Sequence, residues 1–507
     1  MPATLSKRDE IALISINNPP VNAISQAVRA GLHDAVSVAI ADSNVRAIVI
    51  ACEGRTFIAG ADVREFNHPP LPPHLGDVIG LIEDSPKPII AAIHGTALGG
   101  GFEVALGCHY RIATSTARVG LPEVTLGLLP GAGGTQRLPR LIGVKAALDM
   151  ITSGKPISAA QALALGAIDE IAGGELVDAA LEYAKRILAE GQEIRRTGTL
   201  AVNAETSISF DELEREIAKK YRGLIAPVQC VKAVRGCVEL AFEDGLKRER
   251  ELFLELKASS QSRALRHAFF GEREVAKIPG LPADTPVREI RSAAVIGAGT
   301  MGGGIAMCFA NAGIAVTLLD VKQEALDRGM STIGKNYAST VARGGLAKEE
   351  MERRLSLITA SLDFESIRNA DLIIEAVFED IDVKKTMFEK IDAIAKPKAI
   401  LASNTSYLDV SKIASFTSRP QDVVGMHFFS PANVMRLLEN VRTSKTVPDV
   451  LATVMQVGKK LGKVAVLVAG SGGFVGNPNH APPAARGRFG RGGGCGPPQP
   501  PKGRFAV

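Results

Sequence analysis

Two acidic residues, Glu103 and Glu123, stand in glycine-rich, apolar stretches: Gly99-Gly100-Gly101-Phe102-Glu103-Val104-Ala105-Leu106 and Val119-Gly120-Leu121-Pro122-Glu123-Val124. A carboxylate among Phe, Val, Ala and Leu is expensive to desolvate unless something uses it. Either residue alone would read as a helix cap or an arginine partner. Two such groups in one domain, both framed by glycine, point instead to paired acid/base chemistry, with burial pushing their pKa values toward neutrality. The stretches Thr56-Phe57-Ile58-Ala59-Gly60-Ala61-Asp62 and Ala97-Leu98-Gly99-Gly100-Gly101 are glycine-rich loops, the second opening a helix. Free N–H groups at a helix start attract negative charge. One N–H from each loop would grip a carbonyl oxygen as it becomes an enolate.

A second constellation lies in the other half of the chain. Gly297-Ala298-Gly299-Thr300-Met301-Gly302 follows a strand pattern and opens a helix pattern, and Asp320 ends the next strand. That is the dinucleotide-binding fingerprint in its required context. Gly297 makes the tight turn, Gly299 admits a pyrophosphate, and Gly302 lets helix pack on strand. Asp320 binds ribose hydroxyls and repels a 2′-phosphate, favouring NAD over NADP. Further on, His427 lies in Gly425-Met426-His427-Phe428-Phe429-Ser430-Pro431, and Glu439 in Met435-Arg436-Leu437-Leu438-Glu439. Removing a hydride from a secondary alcohol needs a base on the hydroxyl, and histidine titrates in the right range. A carboxylate on the imidazole would hold its tautomer. By itself, a histidine beside aromatics reads as a core residue.

The elements that must position these groups follow from periodicity and punctuation. Residues 11–17, 46–51 and 87–93 read as strands, and residues 25–41 show helical spacing. Alternation to about residue 190 argues an α/β domain. Residues 205–270 are more charged and look helical, and the Pro-rich stretch 278–286 reads as a linker. A second α/β pattern starts at Ser292, with a strand at 293–296, a small-residue helix at 301–312 and a strand at 315–320. From Pro478 to Val507 roughly half the residues are Gly or Pro, a composition that predicts a disordered tail.

Bulk properties bound the function. Net charge is +5, and the tail's Arg486, Arg488, Arg491, Lys502 and Arg504 account for it. The remainder is close to neutral, so neither nucleic acid nor a membrane surface is the expected partner. The six cysteines (Cys52, Cys108, Cys230, Cys237, Cys308, Cys495) show no metal-ligand spacing. They read as reduced thiols of an intracellular protein, with no metal expected. The N-terminus lacks a signal-peptide core, and Phe505-Ala506-Val507 is not a recognised peroxisomal address. The cytoplasm is the default expectation, or the peroxisome for a eukaryotic host.

At Ala59-Gly60-Ala61-Asp62, Ala97 to Glu103, Leu121-Pro122-Glu123 and Leu129 to Gln136 the chain resembles the crotonase (enoyl-CoA hydratase/isomerase) family, over about residues 5–190. The resemblance implies oxyanion-hole N–H groups from Ala61 and Gly100 and catalytic glutamates at Glu103 and Glu123. Having both glutamates favours hydration of an enoyl-CoA thioester. Over residues 291–477 the chain resembles the 3-hydroxyacyl-CoA dehydrogenase family. That likeness implies His427 as base, Glu439 as its partner, Ser406 and Asn477 assisting, and Glu379 and Lys384 at cofactor contacts. The implied fold is a ClpP/crotonase-like domain (1–190), a helical extension and linker (191–290), a Rossmann NAD-binding domain (291–477) and a disordered tail (478–507). The implied cofactor is NAD and the implied partners are acyl-CoA substrates. Hydratase followed by dehydrogenase is the order of the multifunctional β-oxidation enzymes.

The resemblance breaks after Asn477. The family continues with a long apolar helix and further helical domains, where this chain turns to Gly-, Arg- and Pro-rich sequence. That change reads as a frameshift rather than a genuine extension, and leads to the expectation that hydration survives while dehydrogenation is weak or absent. Asn440, after the glutamate, is a lesser departure, since the family carries an apolar residue there. Two other readings stand beside this one. One is a hydratase or isomerase with an inactive nucleotide-binding module. The other is a nucleic-acid-associated protein acting through Arg486 to Gly494, for which the neutral body offers no second contact.

Overall fold

The computed structural model describes residues 2–202, 209–278, 280–282 and 284–469. Asn477, Cys495 and the segment 478–507 lie outside the described residues. The chain forms two compact units that divide between Phe270 and Gly271.

In the first unit a six-stranded sheet runs in the order Ala3–Arg8, Ile11–Ile16, Ala47–Cys52, Ile89–Ile93, Tyr110–Ala113, Glu170–Ile171. Only the first pair is antiparallel. The central strands are nearly continuous apolar runs buried on both faces, as parallel sheets require. The helix Gln26–Ala41 is capped by Ser25, whose hydroxyl accepts from Val28 N–H, and it buries Val28, Leu32, Ala35, Val36 and Ala39 at helical spacing. A smaller sheet joins Thr96–Leu98, Arg118–Gly120 and Ile157–Ser158.

Residues 209–274 form four helices: Phe210–Lys220, Ala226–Glu239, Phe242–Ala258 and Ser260–Glu274. Their Phe210, Cys230, Val231, Val234, Leu252 and Leu256 are buried in the same core as the sheet's Ile48, Ile89 and Phe102. The first three of these helices therefore belong to the body that carries the glutamates, and the fourth runs up to and across its boundary.

The second unit holds an eight-stranded sheet. Its order is Ile358–Ser361, Ala315–Leu319, Ser292–Ile296, Leu372–Glu375, Ile400–Ser403, Val423–Phe428, Leu437–Arg442, Val464–Ala469. Numbered along the chain this is 3-2-1-4-5-6 with two added strands, the doubly wound dinucleotide-binding order. Val423–Phe428 and Leu437–Arg442 pair antiparallel, and the other pairs are parallel. Expected and observed strand and helix bounds agree within one or two residues, with Gly or Pro marking the change of period at Pro88, Gly297, Gly299 and Gly313 and Ser25 capping the helix Gln26–Ala41. No helix among the described residues is long and apolar enough to cross a membrane.

Candidate active sites

Glu103 sits in the first turn of the helix Gly100–Gly107, every residue of which is buried. Gly99, before it, has φ 53° and ψ −130°, a conformation only glycine adopts readily. The glycines also let the two loops touch: a Cβ on Gly101 would stand 2.3 Å from Ile58 O. Leu98 N–H donates to Ile58 O at 3.0 Å, locking the loops together. Gly100 lies against Ala61, with a hypothetical Cβ 3.7 Å from Ala61 N. The N–H groups of Ala61 and Gly100 find no acceptor among the described residues. Gly100 N–H is one of the donors any helix start leaves over.

Glu123 opens the short 3₁₀ turn Glu123–Leu126, closed by Gly127 at φ 67°. Its Oε1 lies 3.0 Å from where a Cβ on Gly99 would stand. Its Oε2 is buried with no hydrogen-bond partner. Glu103 is treated differently. Its Oε1 accepts from Ala132 N–H at 2.8 Å and from Gly134 N–H at 2.9 Å. Burial raises the Glu103 carboxyl above its ordinary range, against those two donors and the charges of Arg137 and Arg250. Burial raises Glu123 well above that range, and the nearby charge of Glu103 adds to it. The two carboxyls thus differ: one is braced by two N–H donors from another loop, while the other has one oxygen without a partner and favours its proton.

A further buried carboxylate, tied to the same loop as Glu103, carries no obvious mark in the sequence. Glu249, 1% exposed on the helix Phe242–Ala258, accepts from Gly133 N–H (2.6 Å), Thr135 N–H (2.9 Å) and Thr135 Oγ1 (2.5 Å). Burial, then the charge of Glu103, pushes it up to about 8 against those donors. Within Lys247-Arg248-Glu249-Arg250-Glu251 it looks like part of a solvated face. The available signal was its spacing with Gly245, Leu252 and Leu256 on one helix stripe, all of them buried.

In the second unit, Gly297 turns at φ 105°, and Gly302 packs so closely that a Cβ there would stand 1.7 Å from Gly297 O. Gly299 faces open space. Asp320 Oδ2 accepts from Ala298 N–H at 2.8 Å, bracing the loop from the end of the second strand. Met301 lies in the first turn of the helix Thr300–Asn311 and packs partly buried on the core. A glycine cradle open at its middle residue, with an acid at the second strand's end, fits a dinucleotide without a 2′-phosphate.

His427 and Glu439 are direct partners across the antiparallel pair, so their side chains share one sheet face. His427 Nδ1 and Glu439 Oε2 are 2.8 Å apart, both residues being buried. Ser406 Oγ lies 3.2 Å from His427 Nε2. A carboxylate at Nδ1 keeps the proton there and leaves Nε2 as the acceptor. Glu379 shapes the Ser406 loop, accepting from Thr405 Oγ1 (2.6 Å), Ser406 N–H (2.7 Å) and Tyr407 N–H (3.0 Å). Burial works to raise the Glu379 carboxyl, but the Thr405 hydroxyl, Lys384 and the two N–H groups outweigh it and hold it low.

Lys384 sits otherwise than expected. It is 1% exposed, and its ammonium donates to both oxygens of Glu375, at 2.8 and 3.0 Å, with Glu379 at 3.4 Å. A buried ammonium must pair, so Lys384 stands behind the loop and reaches its surface only through Glu379. Glu375, the partner that sequence reading missed, also accepts from Ser403 Oγ at 2.7 Å.

The comparisons with known proteins agree with this geometry. The enoyl-CoA hydratase/isomerase family model matches residues 6–269, and that of the NAD binding domain of 3-hydroxyacyl-CoA dehydrogenase matches residues 292–471. The chain is 44% identical over 474 residues to the peroxisomal bifunctional enzyme of Danio rerio, covering 92% of this chain and 65% of that protein. It is 43% identical over 477 residues, with the same coverage, to the peroxisomal bifunctional enzyme of Homo sapiens. A peroxisomal fatty acid beta-oxidation multifunctional protein of Arabidopsis thaliana is 37% identical over 491 residues, covering 92% of this chain and 67% of that one. The chain thus spans about two thirds of the length of these relatives. With both glutamates, a dinucleotide cradle and a His–Glu pair in that order, the chain belongs to the enoyl-CoA hydratase/isomerase family, joined to a 3-hydroxyacyl-CoA dehydrogenase NAD-binding domain as in the multifunctional β-oxidation enzymes.

Proposed function

We propose that the chain hydrates trans-2-enoyl-CoA to 3-hydroxyacyl-CoA and serves the NAD-dependent oxidation of that product to 3-ketoacyl-CoA. The observation that carries this reading is the unequal pair: Glu103 braced by two N–H donors and Glu123 with an unpartnered buried oxygen. Glu103, as the carboxylate, takes a proton from water while the water oxygen bonds to C3. The electron pair of the double bond moves to the thioester oxygen, which Ala61 and Gly100 N–H hold as an enolate. Glu123, as the neutral acid, returns a proton to C2 when the enolate collapses. Double-bond isomerisation is a side activity of the same apparatus, since it needs only the oxyanion hole and a proton shuttle.

In the second unit His427 takes the hydroxyl proton at Nε2, Glu439 holds the imidazole through Nδ1, and Ser406 orients the hydroxyl. Bound NAD supplies the hydride acceptor. Gly297, Gly299, Met301, Gly302 and Asp320 form its cradle, and Glu379, backed by Lys384, shapes the loop that carries Ser406. Asn477 is assigned a supporting part at the imidazole on the family likeness. The animal and plant relatives are named as peroxisomal proteins, so we place the chain in the peroxisome of a eukaryotic host and otherwise in the cytoplasm, to be checked by fractionation.

The test is purified protein with a short-chain trans-2-enoyl-CoA, followed by loss of the conjugated thioester absorbance, then by NADH after NAD is added. Loss of absorbance followed by NADH supports both steps. Hydration without NADH marks a hydratase/isomerase with an idle nucleotide-binding module. No hydration overturns the reading.

A further inference from the structure

The loop Ala132–Thr135 precedes and opens the helix Gly134–Ile142, and its N–H groups are the donors a helix start leaves over. They are divided strictly between two buried carboxylates. Ala132 and Gly134 donate to Glu103, at 2.8 and 2.9 Å, and Gly133 and Thr135 donate to Glu249, at 2.6 and 2.9 Å. Gly133 sits at φ 98°, which lets successive N–H groups face opposite sides. Thr135 Oγ1 adds a third donor to Glu249 at 2.5 Å. That hydroxyl in turn accepts from Gln136 Nε2 at 2.9 Å, which also donates to Ala233 O at 2.9 Å. The hydroxyl's own hydrogen is therefore committed to Glu249.

We propose that Glu249 is a positioning residue for hydration: by taking the N–H groups of Gly133 and Thr135 it fixes those of Ala132 and Gly134 on Glu103. The proposal rests on the reading of Glu103 as the group that activates water. Without Glu249, the N–H groups of Gly133 and Thr135 lose their acceptor, while Glu103 still accepts from the neighbouring Ala132 and Gly134. The peptide planes then rotate toward it, and the direction in which Glu103 accepts a proton changes. Glu249 is buried on another helix, Phe242–Ala258, and its acceptor oxygens are taken by the loop's own donors. Its loss acts on the chemical step more than on binding.

The experiment measures hydration of a short-chain trans-2-enoyl-CoA by the full chain carrying Glu249→Gln, Thr135→Val or Thr135→Ser. The Gln side chain keeps the volume but turns one acceptor into a donor. A misplacement on the order of 1 Å at a reacting group costs up to about 100-fold. Glu249→Gln and Thr135→Val are therefore expected to lower kcat about 10- to 100-fold, with KM held within about twofold. Thr135→Ser, which keeps the hydroxyl donor, recovers the rate lost in Thr135→Val. An unchanged kcat in Glu249→Gln overturns the proposal, as does Thr135→Ser impaired as much as Thr135→Val. If Glu249→Gln does not fold, the two Thr135 variants decide. A wild-type chain that does not hydrate removes the functional reading itself, which is a different failure from an active wild type with indifferent variants.

Discussion

Glu123→Gln separates activity from stability in a way the structure makes quantitative. Glu123 Oε2 is buried without a partner, so an amide of the same shape breaks no bond there. Burial and the charge of Glu103 hold the folded carboxyl well above its ordinary value of 4.5, so the folded state keeps a proton that the unfolded chain releases. The sign follows from linkage. A raised folded pKa contributes stability that is fully present below the unfolded pKa and is lost as pH rises through the folded one. Each pH unit in that window takes about 1.4 kcal/mol from the wild type and nothing from the amide. At about 2–4 °C per kcal/mol for a unit of this size, the variant's Tm advantage grows by about 3–6 °C per pH unit. The assay is calorimetry of both proteins over a pH series that begins at the ordinary carboxylate value and rises from there, following the transition of the first unit. In the same samples the variant's hydration kcat falls about 10²- to 10⁴-fold, the usual range for a lost general acid. A pH-independent Tm gap, or a variant keeping more than about a tenth of wild-type kcat, refutes the reasoning.

Other predictions follow from single contacts. Hydration falls at low pH as Glu103 takes up a proton and at high pH as Glu123 loses one; both limbs of the rate profile lie above the ordinary carboxylate range. Gly302→Ala puts a Cβ 1.7 Å from Gly297 O, so titration calorimetry should find NAD binding abolished while hydration persists. Glu439→Gln removes the carboxylate from His427 Nδ1, and NADH formation from 3-hydroxyacyl-CoA is expected to drop about 10²- to 10⁴-fold at unchanged NAD affinity. Asn440 is fully buried with Oδ1 unpartnered, so Asn440→Leu should raise the second unit's stability by about 1–2 kcal/mol in a urea melt.

Much of this protein was open to reading along the chain, because its signals are local. The apolar runs at residues 47–52 and 89–93 announce buried parallel strands. The glycines around Glu103 and in Gly297 to Gly302 sit where a positive φ or a close backbone approach excludes a side chain. A turn needs its glycine whatever lies elsewhere in the chain. The partners of the charged groups are different in kind. Whether Lys384 reaches outward or turns into Glu375 depends on two side chains meeting across an element boundary. His427 meets Glu439 only through strand register. Glu249, read along the chain, belongs to a run of solvated charges; folded, it lies against a loop 114 residues away by its contact with Thr135. Sequence by itself determined where the backbone could turn and which groups could react. Tertiary structure alone decided which carboxylate is braced, which is left without a partner and which holds the others in place. The reason is that desolvation and hydrogen bonding act through space, and chain position does not record them.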